Sequence, residues 1–101
     1  MSAAVEITGK VARIVLSGPL DFSTQGEMRK ANERALALDA VEEIHIDLAD
    51  VPFIDSSVIR ALLVFRQDAA ARGKTLVLVN IKDTVREVFD IGGFDKVFTI
   101  R

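Results

Sequence analysis

Cysteine is absent from this chain, so neither disulfides nor thiolate chemistry is open to it. That absence fits a cytoplasmic location, which is the expected one. Histidine occurs once, at His45. A metal centre takes several ligands of suitable geometry, so no metal site is expected. A lone histidine in a strand pattern also leaves a serine nucleophile without an obvious base. Basic clusters are missing too. Lys and Arg number 13 against 15 Asp and Glu, giving a net charge of −2. Nothing in that balance calls for a nucleic-acid partner. Met1–Thr8 has neither the basic start nor the long apolar run of a secretory signal. No apolar stretch approaches the roughly 20 residues of a membrane span, so no direct membrane insertion is expected. The glycine-rich phosphate loops Gly-x-Gly-x-x-Gly and Walker Gly-Lys-Ser/Thr do not occur, nor does Gly-x-Ser-x-Gly. Asp47, Asp50 and Asp55 are close in sequence, but a chain this small has little room for a substrate cleft. No enzyme and no cofactor are expected.

What is present is 101 residues, half of them apolar, enough for one domain over residues 1–101 with a real core. Val5–Lys10 and Val11–Ser17 read as a hairpin with Gly9-Lys10 in its turn. Gly18-Pro19 ends the second strand. Thr24-x-x-Glu27 matches a capping box, and Met28, Ala31, Ala35 and Leu38 follow at helical spacing. Glu43–Leu48 alternates as a strand. A helix over Ser57–Arg72 follows, with Ile59, Leu62, Leu63, Phe65 and Ala69 as its core stripe. Val58, Ala61 and Val64 widen that stripe, so the helix either has cover on two sides or touches something beyond its own core. Gly73 stops it. Thr75–Val79 reads as a strand buried on both faces. Thr84-x-x-Glu87 is a second capping-box pattern, Gly92-Gly93 ends that short helix, and Val97–Ile100 reads as the last strand.

The order β-β-α-β-α-β-α-β predicts an α/β domain. Its sheet should be mixed but mostly parallel, with helices mainly on one face. In such sheets, partners and ligands meet the edge beyond the carboxyl ends of the strands. Asp21 and the stretch Asp55-Ser56-Ser57 both lie in loops that follow strands, so the topology can bring them to one edge. A helix start offers free N–H groups and the positive end of the macrodipole, a favourable place for an anion such as a phosphate on a serine. A second reading stands beside it: Asp and Ser are also ordinary N-cap residues that simply begin a helix.

The element order, the loop Gly18-Pro19-Leu20-Asp21 and the run Val51-Pro52-Phe53-Ile54-Asp55-Ser56-Ser57 resemble a STAS domain, specifically an anti-sigma factor antagonist. Thr84–Asp90 and Gly92-Gly93-Phe94 are similar to that family's third helix and the turn after it. The resemblance implies binding to an anti-sigma factor that is also a serine kinase. It implies phosphorylation of the second serine, here Ser57, and resetting by a phosphatase. The resemblance puts Asp21 and Asp55 on the same surface as Ser57, and with the two β–α loops on one edge the expected partner-binding residues are Asp21, Phe22, Ser23, Asp55, Ser56, Ser57, Val58 and Arg60. Small STAS domains also serve as non-phosphorylated accessory subunits of membrane transporters or signalling assemblies, which is the alternative reading. The sequence departs from the family pattern at Val58-Ile59-Arg60, where Gly-Leu-Gly usually follows the serines. Val58 adds bulk there and Arg60 adds a charge one turn from Ser57. The family often carries a further C-terminal helix after the last strand. Its absence from this sequence leads to the expectation of an exposed apolar patch and a homodimer or a tight complex.

Overall fold

In the computed structural model, which describes residues 1–101, the chain forms a five-stranded sheet in the order β1-β2-β3-β4-β5. The strands are β1 (Ser2–Thr8), β2 (Val11–Ser17), β3 (Glu43–Asp50), β4 (Thr75–Val79) and β5 (Thr99–Ile100). The helices are α1 (Gln25–Leu36), α2 (Ser56–Ala71) and α3 (Asp83–Ile91). β1 and β2 are antiparallel, and every other pairing is parallel. The hairpin turns at Gly9-Lys10, where Gly9 has φ +59°, a value that suits glycine at the first turn position.

Each crossover from β2 to β5 steps to the neighbouring strand in the same direction. Right-handed crossovers then put all three helices on one face, as the pattern predicts. That face carries Ala12, Ile14 and Leu16 of β2, Ile44, Ile46 and Leu48 of β3, and Leu76 and Leu78 of β4, all buried. Against them pack Met28, Ala31 and Ala35 of α1, Ile59, Leu62, Phe65 and Ala69 of α2, and Val85 and Phe89 of α3. The opposite sheet face is mixed, with Val15 and buried Val77 beside charged side chains. There Arg13 pairs with Asp47 across β2 and β3, and Glu43 accepts from His45 Nε2 at 2.6 Å and from Arg101 at 3.1 Å. His45 is thus a paired strand residue. No group of three or more His, Asp or Glu side chains is placed to hold a metal ion. No helix is long and apolar enough to cross a membrane.

Several local expectations need correction. β1 begins at Ser2 rather than Val5, because Ser2, Ala3 and Ala4 pair with Ser17, Leu16 and Val15. The capping box of α1 does not form. Thr24 Oγ1 instead accepts from Asp21 N at 3.0 Å and donates to Pro19 O at 3.0 Å. The box at α3 is likewise unmade, and Lys82 occupies its N-cap position. Leu38 lies beyond the end of α1 and is exposed. Only Thr99–Ile100 of the last segment pairs as a strand, because Phe94–Lys96 makes a 3-10 turn and Phe98 N donates back to Phe94 O.

Candidate functional site

The strand pairing of β2 and β3 continues past the strand ends. Gly18 N donates to Asp50 O, Leu20 N to Phe53 O and Asp55 N to Leu20 O, and Leu20 and Ile54 form an isolated parallel bridge. Buried Leu20 and Ile54 anchor these two segments in the core. The β2–α1 loop and the start of α2 therefore run side by side at one sheet edge, although more than thirty positions separate Asp21 from Asp55.

Asp55 is the node of that edge. It is the N-cap of α2, with extended backbone, and its Oδ1 accepts from Val58 N at 3.0 Å. The same oxygen accepts the Ser57 hydroxyl at 2.6 Å, while Oδ2 accepts from Phe22 N at 3.1 Å. The hydrogen bond from Ser57, then those from the backbone, outweigh desolvation and hold the Asp55 carboxyl below its ordinary pKa. Asp21 organises the neighbouring loop in the same way. Its Oδ1 accepts from the Ser23 hydroxyl at 2.6 Å, from Ser23 N at 2.9 Å and from Thr24 N at 3.0 Å. The Ser23 hydroxyl is the largest influence, and the net effect holds the Asp21 carboxyl below its ordinary pKa. Both aspartates are anions at neutral pH.

Of the residues picked out in the sequence, Asp21, Phe22, Ser23, Asp55, Ser56 and Ser57 share this edge. Phe22 is 75% exposed, an apolar ring standing free beside two carboxylates. Ser56 is the first residue of α2 and exposed, and Ser57 is the second and half-buried. Neither serine is the cap. Arg60 is exposed one turn further along. Val58 is a correction: its side chain is fully buried in the core, so it presents no side-chain surface to a partner. A fixed first-turn geometry explains this, because Val58 lies on the stripe that faces the sheet while Ser57 and Arg60 lie off it. Asp47 also leaves the site. It is buried on the opposite sheet face with Arg13, away from Asp55.

The sequence did not indicate the groove that runs from this edge between α1 and α2. It has a volume of about 610 Å³ and is lined from α1 by Met28, Arg29 and Asn32 and from α2 by Ala61 and Val64, with Ser57 and Phe22 at its mouth. It explains the widened apolar stripe of α2: Val58 enters the core, whereas Ala61 and Val64 face the groove, and Val64 is 51% exposed.

With this geometry in place, the relationship to known proteins is clear. The STAS domain family model matches residues 2–101, and the chain belongs to that family. It is 28% identical over 100 residues to a STAS-domain containing protein of Pseudomonas aeruginosa, covering 99% of this chain and 97% of that one. It is 32% identical over 93 residues to BtrV of Bordetella bronchiseptica, provisionally named an anti-sigma factor antagonist, covering 84% of this chain and 79% of BtrV. Among solved structures, the unphosphorylated form of the anti-sigma factor antagonist SpoIIAA superposes with a TM-score of 0.73 at 25% identity, over 99% of this chain and 87% of SpoIIAA. The phosphorylated form of the Bacillus protein superposes with the same TM-score. An anti-sigma factor antagonist of Mycobacterium paratuberculosis shares the fold more closely, with a TM-score of 0.86 at 23% identity. The chain therefore shares its family and its fold with proteins named anti-sigma factor antagonists.

Proposed function

We propose that this chain is an anti-sigma factor antagonist of a cytoplasmic partner-switching pathway. In this reading it docks on an anti-sigma factor that is also a serine kinase, through Asp21, Phe22, Ser23, Asp55, Ser56, Ser57 and Arg60. Phosphorylation at Ser57 ends the docking, and a phosphatase restores it. The names of BtrV and SpoIIAA support the class of partner. The observation that carries the reading is the Asp55 carboxylate, which joins Phe22 N–H, the Ser57 hydroxyl and the start of α2 in one exposed patch.

The physical chemistry suits a local switch. A phosphate on Ser57 adds nearly two negative charges. The N-terminus of α2 tolerates them, because its free N–H groups and dipole favour an anion. A partner surface that accommodates Asp21 and Asp55 then meets a further charge that it must desolvate. The fold stays intact while the docking surface becomes more negative and changes shape.

Phe22 tests the surface. Its ring is exposed, so Phe22→Ser leaves the core untouched. Titration calorimetry against an anti-sigma factor/kinase from the same organism should show affinity falling about tenfold or more, as expected for an aromatic anchor. Unchanged affinity would move the interface to another face.

A further inference from the structure

The groove between α1 and α2 is lined by two arginines that make no ion pair within the chain. Both helices follow parallel strands, so they run the same way and open at the same end. Ser57 lines that end, and Arg60 and Arg29 line the groove next to it, one from each helix. Both arginines are exposed, and neither belongs to any ion pair of the chain. Deeper in the groove lies Asn32, only 6% exposed, whose Oδ1 is buried with no hydrogen-bond partner. A buried amide oxygen without a partner is an unused hydrogen-bonding group, and turning the amide would put N–H donors in its place.

We propose that Arg60, with Arg29 across the groove, forms a receptor for a phosphate monoester, and that the ester it receives is the one carried by Ser57 of the same chain. The proposal rests on the reading that Ser57 is phosphorylated. Unmodified Ser57 gives its proton to Asp55 Oδ1 at 2.6 Å. A phosphate ester on that oxygen has no proton to give, so two anions would face each other. Rotation about the Cα–Cβ bond to another staggered well takes the phosphate off Asp55. The neighbour it then meets is Arg60, since side chains three apart on a helix lie on one face with Cβ atoms about 5–6 Å apart. A guanidinium matches two phosphate oxygens at once. The charged groups around the receptor are Asp21 and Asp55 on the loops, Arg29 and Glu33 on α1, and Arg60 and Asp68 on α2. Glu33 lies one turn beyond Arg29, and Asp68 two turns beyond Arg60, so the cations nearest Ser57 in the groove are the two arginines, with Asp21 and Asp55 on the loops beside them. Arg60, where the family has glycine, thus gains a role. It holds the phosphate inside the groove, and the modified surface loses a free cation as well as gaining an anion.

Phosphoserine installed at position 57 by genetic encoding tests this without any kinase or partner. Titration of its second ionisation by phosphorus NMR is the readout. Arg60 favours the dianion, so Arg60→Ala should raise the proton affinity of the phosphate about three- to tenfold, with Arg29→Ala giving a smaller rise in the same direction. Arg60→Lys should restore part of the effect. An unaltered titration in Arg60→Ala would overturn the receptor. Inorganic phosphate added to the unphosphorylated chain separates the two sources of ester: no saturable shift is expected. Saturable binding lost in Arg60→Ala would overturn the internal source and make the groove a site for a free anion. A kinase that spares Ser57 would defeat the proposed function and leave this titration untouched. A flat titration would defeat the receptor and leave the partner reading standing.

Discussion

Asp55→Ala should destabilise the domain by about 1–2 kcal/mol, because it removes the N-cap of α2. The magnitude comes from the three donors that Asp55 satisfies. Val58 N–H, at 3.0 Å, belongs to a residue whose side chain is fully buried, so this is the costly loss. Phe22 N–H and the Ser57 hydroxyl, at 3.1 and 2.6 Å, sit nearer the surface and can turn to water, so they add less. For a domain of this size, 1 kcal/mol moves the melting temperature by about 4–8 °C, so a loss of roughly 5–15 °C is expected by calorimetry. Ser57→Ala provides the internal control. It removes one hydroxyl donor and no cap, so its loss should stay below about 1 kcal/mol. Asp55→Asn, which keeps an acceptor for Val58 N, should fall between the two. Equal losses for Ser57→Ala and Asp55→Ala would refute the assignment of Asp55 as the cap. So would a change below about 0.3 kcal/mol for Asp55→Ala.

Lys74 offers a second test. Its Nζ is buried and donates to Leu38 O at 2.7 Å and Val41 O at 2.6 Å, tying the chain after α1 to the start of β4. Lys74→Met should cost about 1–3 kcal/mol in urea unfolding by stranding the Val41 carbonyl, while Leu38 O keeps the Val41 N–H at 3.0 Å, and a loss under about 0.5 kcal/mol would contradict that role. Acid stability provides a third. Burial raises the pKa of Asp47, but the Ala49 N–H, the Arg13 guanidinium and the Asn80 side chain outweigh it, so the net shift is downward. A folded pKa below the unfolded one gives stability that is complete above the unfolded value of about 3.9 and is lost as pH falls through the folded one. Urea midpoints should therefore hold from neutrality to mild acid and drop below about pH 4. Asp47→Asn should flatten that acid limb. An identical limb in the variant would shift the cause to other carboxylates.

The sheet and its buried face were legible because their signal is periodic. Ile14 and Leu16, Ile46 and Leu48, and Leu76 and Leu78 alternate with polar or β-branched neighbours, and each of these residues is buried. The approach of Asp21 to Asp55 followed from topology, since parallel neighbours put their following loops on one edge. The misses have physical causes. Thr24-x-x-Glu27 has the spacing of a capping box, but Asp21 already satisfies the Ser23 and Thr24 N–H groups, leaving the threonine hydroxyl to other partners. Val97–Ile100 has strand composition, yet the edge contact of Phe98 with Phe89, ring centres 5.7 Å apart, keeps its first half in a turn. Ser2–Ala4 has little strand propensity and is a strand only because β2 templates it. Val58 stands four residues before Leu62 and seven before Phe65, so the same helical spacing that marks the core stripe carries it into the core. The groove and the buried Lys74 arise from side chains on separate elements, which no local pattern records.

The most direct test of the switch is to locate the phosphate. The chain is incubated with ATP and an anti-sigma factor/kinase from its own organism, and tandem mass spectrometry assigns the modified residue. The account predicts a single phosphate on Ser57, and loss of binding to the kinase in the modified protein. Phosphate on Ser56, Ser17, Ser23 or a threonine would contradict it, and no phosphate at all would favour the non-phosphorylated accessory-subunit reading instead.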